Sequence, residues 1–106
     1  MVARTRLSAA DVVTEREFQA TVIEMARAFG WRVYHTHDSR RSDPGFPDLT
    51  MARKGRILFM ELKAEKGKPT EAQLDWLLAL RSSFSVNVHV ALYRPSDMPR
   101  IVELLT

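Results

Sequence analysis

The sequence predicts one small α/β domain: a mixed sheet flanked by helices, in the order αβββαβ, with a short helix closing the C-terminus. Three observations predict it. The chain has 106 residues, the size of a single domain. Segments with helical spacing alternate with β-branched and aromatic runs, which implies helices packed on a sheet. The last two strands are separated by a whole helical segment, enough for a parallel crossover.

Residues 1–13 are small, polar and basic and are expected to form a flexible arm, with the folded domain over 14–106. Thr14-Glu15-Arg16-Glu17 fits a capping box, Thr14 as N-cap and Glu17 reaching back. Phe18, Val22, Met25 and Phe29 then draw one apolar stripe, and Gly30 ends the helix. Trp31 to His37 reads as a strand. Residues 38–47, DSRRSDPGFP, form a loop of about ten residues, long enough to be functional rather than connecting. Asp48 to Ala52 and Arg56 to Lys63 read as a β-hairpin about the turn Arg53-Lys54-Gly55. The second of these strands is nearly all apolar, which marks a central strand covered on both faces. Thr70 opens another helix with a second capping box to Gln73. Leu74, Leu77, Leu78 and the Arg81 stem are expected on its buried side, widened by Trp76 and Leu80. Val86 to Tyr93 reads as the fourth strand, with Val86, Val88, Val90 and Leu92 on one side. Asp97 to Leu105 is the closing helix, with Ile101, Leu104 and Leu105 facing inward.

Composition excludes several classes. No run approaches the length of a membrane-spanning helix. The basic N-terminus lacks the apolar core of a signal peptide, so the cytoplasm is the expected location. There is no cysteine, which removes disulfide scaffolds, zinc ribbons and thiol nucleophiles. The net charge is only +3, but it is unevenly placed: residues 27–56 hold seven bases and three acids. Such a segment can serve as a footprint for phosphates. Arg40 and Arg41 lie in the loop before the second strand, well placed for a phosphate backbone. His35 and His37 share a strand face. They are too few for a zinc site and are expected to help line a DNA cleft. Trp31 and Trp76 are expected to fill the core.

The chemistry sits at the far end of the hairpin. Glu61 and Lys63 share one strand face, and the antiparallel partner brings Asp48 opposite residue 61 or 62. Two carboxylates aimed at one point repel unless a cation joins them. Mg²⁺, which takes oxygen ligands and keeps waters, suits the arrangement. A neighbouring lysine can orient water or stabilise phosphate charge. The reaction class is metal-assisted phosphodiester hydrolysis. The plainer alternative is a Glu61–Lys63 salt bridge beside an Asp48 that caps a turn.

Pro47-Asp48, twelve residues, then Glu61-Leu62-Lys63 resembles the PD-(D/E)XK nuclease motif. Five ordered segments, TEREFQ, GW, GFPDL, FMELK and GKPTEAQLDWL, resemble the VRR-NUC family of that superfamily, from about Thr14 to Tyr93. The short chain is similar to its stand-alone, phage-type members. The resemblance implies the restriction-endonuclease-like core and a nuclease on DNA dependent on Mg²⁺ or Mn²⁺. It makes Asp48 and Glu61 metal ligands, with the Leu62 carbonyl as a further oxygen, and Lys63 the catalytic lysine. It also implies a glutamate on the first helix: Glu15, whose spacing to Gln19 matches the family, with Glu17 as the fallback. Gln73 matches a glutamine expected near the attacking water or scissile phosphate. Branched or Holliday-junction-like DNA is the implied substrate and a homodimer the implied assembly, in the cytoplasm of a bacterial or phage-infected cell. The GFPD loop and the 81–90 region could form the dimer interface, which the sequence does not specify. The rival functions are a DNA-binding module that has lost cleavage and an accessory that binds a protein partner.

Overall fold

The computed structural model describes residues 9–36, 41–83 and 85–106. The elements are α1 (Ala9–Val12), α2 (Glu15–Ala28), β1 (Arg32–His35), β2 (Leu49–Arg53), β3 (Arg56–Leu62), α3 (Glu71–Ser82), β4 (Val88–Tyr93), a 3-10 turn (Pro95–Asp97) and α4 (Met98–Leu105). The four strands form one sheet in the order β1-β2-β3-β4. The first three are antiparallel neighbours, and β4 runs parallel to β3 across the α3 crossover. This is the mixed αβββαβ sheet expected from the sequence. The single helical turn α1 lies within the segment read as an arm.

The hairpin register is set by its turn. Lys54 and Gly55 both have positive φ, 48° and 81°, as a two-residue turn that follows strand twist requires. Arg53 therefore pairs with Arg56, and the ladder runs back to Leu49 opposite Met60. Side chains alternate across the sheet. One face carries Leu49, Met51, Leu58, Met60 and Leu62 into the main core, with Ala91 and Tyr93 of β4. Phe18, Val22 and Ala26 of α2 and Ile101, Leu104 and Leu105 of α4 cover this face. Trp31 is buried there as expected, and its Nε1 donates to the Leu105 carbonyl at 3.0 Å. On the other face α3 sits over β4, and Phe46 packs edge-on against both Phe59 and Trp76.

Both capping boxes form, Thr14 with Glu17 and Thr70 with Gln73. The terminal apolar residues of the helices depart from expectation. Phe29 is the C-cap of α2 and is exposed, because the chain turns away at Gly30 (φ 88°) and Ala26 takes the last inward place. On α3 only Leu77 is buried, while Leu74 and Leu78 are 51% and 68% exposed. The helix rests on the outer edge of the sheet, so its other side has nothing to face. Val86 lies in a turn before β4 and is exposed; Val88, Val90 and Leu92 share the α3-side face as read from the sequence.

Candidate active site

The strand alternation that builds the core also places the charged residues. One step beyond the Leu49–Met60 pair, Asp48 lies against Glu61. Asp48 is held on two sides. Its Oδ2 accepts the Leu62 N–H at 2.8 Å, and its carbonyl accepts the Thr36 N–H at 3.0 Å. Thr36 Oγ1 also donates to the Pro47 carbonyl at 3.2 Å, which fixes the approach to the strand. Leu62 directs its N–H to the Asp48 side, and strand geometry places its carbonyl along the same edge.

Glu61 is 1% exposed, and among the described residues neither carboxylate oxygen has a hydrogen-bond partner. Burial, reinforced by the negative charge of Asp48, pushes its pKa up to about 8; Lys63 opposes the shift. Lys63, itself buried, places Nζ 3.8 Å from Glu61 Oε2 and 3.9 Å from Glu15 Oε1. The ion pair foreseen as the plainer alternative is therefore present, but it leaves Glu61 short of partners. A buried carboxylate without donors is costly. A divalent cation bound by Asp48, Glu61 and the Leu62 carbonyl fits this donor set, because it would satisfy those oxygens. As the side chains stand, no three His, Asp or Glu among the described residues converge enough to hold an ion; Lys63 occupies the space between Glu15 and Glu61.

A cleft of about 420 Å³ opens over these groups, with Glu15, Gln19, His35, Asp48 and Gln73 in its wall. Five expected site residues are thus brought together. The first turns of α2 and α3 both border it, and helix N-termini carry partial positive charge suited to a phosphate. Glu15 and Glu17 separate cleanly. Glu15 is at the cleft beside Lys63, whereas Glu17 is spent on the cap: its Oε1 accepts the Thr14 N–H at 3.0 Å, which holds its pKa below the usual value. Gln73 Oε1 is likewise engaged by the Thr70 N–H at 2.8 Å, leaving its amide nitrogen as the group to offer the cleft. Arg41 is exposed at the start of the loop; His37 and Arg40 lie outside the described residues.

Four wall or support residues were not anticipated from the sequence: Arg16, Thr36, Gly45 and Phe46. Gly45 carries a readable signal, since it sits in the GFPD segment after a proline. Its φ is 91°, and a Cβ there would collide with the Ala72 backbone. The close approach docks the loop on α3 and seats Phe46 between Phe59 and Trp76, with Pro47 fully buried. Phe46 and Pro47 thus pack largely within the chain.

The geometry is matched by comparison with known proteins. No curated protein matches the sequence. A solved structure described as a VRR-NUC domain superposes with a TM-score of 0.66 at 30% identity, over 84% of this chain and 94% of the other. A second, described as a VRR-NUC domain protein, has a TM-score of 0.57 at 20% identity, over 87% and 84%. Hjc of Archaeoglobus fulgidus, a Holliday junction resolvase, aligns more loosely: TM-score 0.48, 21% identity, 74% and 65% covered. The profile of the VRR-NUC domain itself matches residues 7–95. With the nuclease-type fold and that match over most of its length, the chain belongs to the VRR-NUC family.

Proposed function

We propose that the protein is a Mg²⁺- or Mn²⁺-dependent DNA endonuclease. The observation that carries this is the Glu61 carboxylate, buried between Asp48 and Lys63 with no hydrogen-bond partner among the described residues. Asp48, Glu61 and the Leu62 carbonyl would hold the ion, with Glu15 at the rim. Bound there, the ion would polarise the scissile phosphate and acidify water. The chain's own groups do the rest. Lys63, held between Glu15 and Glu61, sets its ammonium against charge growing on the phosphate. The Leu62 N–H fixes Asp48, so its second oxygen is aimed without further ordering. The Gln73 amide nitrogen is positioned to orient the attacking water. Gln19, His35 and Arg41 line the path of the DNA backbone in this reading; His37 and Arg40, assigned to it from the sequence, lie outside the described residues.

The substrate we propose is branched or junction-like DNA and the assembly a homodimer, in the cytoplasm of a bacterial or phage-infected cell. No helix among the described residues is long and apolar enough to cross a membrane. The exposed Leu74 and Leu78 support a second copy. Glu71 and Asp75 lie in the first half of α3 and Arg81 near its end, so two α3 helices laid antiparallel would set acids against a base.

Purified protein incubated with junction, flap and linear duplex DNA in Mg²⁺ or Mn²⁺ tests the reading. Cleavage of branched DNA is expected. Asp48→Ala and Glu61→Ala should each abolish it while leaving DNA affinity within about threefold. No cleavage of any substrate by the wild type would leave an inactive DNA-binding module or a protein-binding accessory.

A further inference from the structure

The sheet face that bears Asp48 and Glu61 is only half covered. α3 closes it over β4, and Phe46 and Trp76 close it over Phe59. Over β1 and β2 the same face stays open. Tyr34 pairs with Thr50 in the β1–β2 ladder, and Thr50 lies two residues from Asp48, so all three point to one side. Strand spacing places Tyr34 roughly 7–8 Å diagonally from Asp48. The Tyr34 side chain is 65% exposed. A tyrosine so placed in a strand has given up packing that its apolar ring would otherwise gain. A hollow of about 560 Å³ borders it, lined on this face by Arg32, Thr50 and Ala52 and on the core side by Val33, Met51 and Arg27 of α2. Arg32 is exposed and forms no ion pair among the described residues.

We propose that this open floor is a subsite for an unpaired nucleotide next to the scissile phosphate, with its base stacked on Tyr34 and its phosphate met by Arg32. The inference rests on the nuclease reading and adds what that reading lacks, a reason to select branched DNA. An exposed ring on a sheet can stack only on a base whose face is free, and bases inside a duplex have none to offer. Aromatic residues on a basic sheet surface bind single strands in this way. The Arg32 cation complements the phosphate charge, and the Thr50 hydroxyl gives a hydrogen-bonding group beneath the base.

Binding measured without cleavage separates this inference from the nuclease reading. In EDTA, fluorescence anisotropy compares a blunt duplex with the same duplex carrying a three-nucleotide unpaired tail, one tail base being 2-aminopurine. Stacking of one base is worth about 1–3 kcal/mol, or roughly 5- to 150-fold in affinity. Tyr34→Ala should therefore reduce the preference for the tailed probe at least about fivefold and abolish 2-aminopurine quenching. Tyr34→Phe and Tyr34→Trp should retain both. Equal weakening of blunt and tailed probes by Tyr34→Ala, or loss of the preference in Tyr34→Trp as well, would overturn the subsite. Failure of the wild type to cleave any DNA in Mg²⁺ or Mn²⁺ would defeat the nuclease reading instead and leaves the stacking measurement intact.

Discussion

Glu61, a metal ligand of the proposed function, is where that function and stability pull in opposite directions. A carboxylate buried with no hydrogen-bond partner among the described residues, and only Lys63 near it, destabilises the fold that holds it. Its pKa rises from an ordinary 4.5 to about 8, so between those values the folded chain keeps a proton that the unfolded chain has lost. Stability from this group is full below about pH 4.5 and is lost as pH rises through 8. His89 works the other way: burial and three nearby arginines hold its pKa below 6.5, so it costs stability only on the acid side of that value. From about pH 7 to 9 in EDTA, the slope is therefore set by Glu61. Glu61→Gln is expected to flatten it and to raise stability at pH 9 by on the order of 1 kcal/mol, read from urea unfolding, while ending cleavage. An unchanged slope would show that Glu61 is not the titrating group. The identity of this residue was legible in the sequence because a glutamate in an apolar strand has few bland explanations. Tyr34 was not legible, because alternation tells which face a side chain takes but not whether a helix lies over that face.

At the scale of elements, the loop over 41–47 and the first turn of α3 form one unit. Gly45 touches the Ala72 backbone in a left-handed conformation, and Phe46 wedges between Phe59 and Trp76. Gly45→Ala should destabilise by about 1–3 kcal/mol through overpacking alone. It should also slow cleavage, since Asp48 lies three residues on and depends on the loop for its approach. A thermal shift with unaltered cleavage would show that the loop and Asp48 are independent. Capping signals predicted both long helices well, because Thr14 and Thr70 each bond a residue three ahead. The buried side of α3 was read less well. Its leucines have helical spacing on nearly every side, so periodicity could not show that only Leu77 would face the sheet.

For the whole molecule, two surfaces of opposite character follow. The cleft side gathers helix N-termini, Lys63 and the open floor near Tyr34. The far edge presents the exposed Leu74 and Leu78. If α3 is the dimer contact, Leu78→Asp should convert the wild-type dimer to a monomer in sedimentation, with its unfolding midpoint little changed since the residue is exposed. A wild-type monomer, or a dimer that survives the change, would place the contact elsewhere. The Lys54–Gly55 turn carries a further consequence. It lies at the opposite end of the hairpin from Asp48 and Glu61, roughly 20 Å away at about 3.4 Å per residue. Yet it is the gauge that decides which residues of the two strands meet. Adding or removing one residue there would shift the strands by a single step and swing Asp48 or Glu61 to the opposite face. A harmless-looking change in an exposed tip would thus disarm the proposed site from a distance.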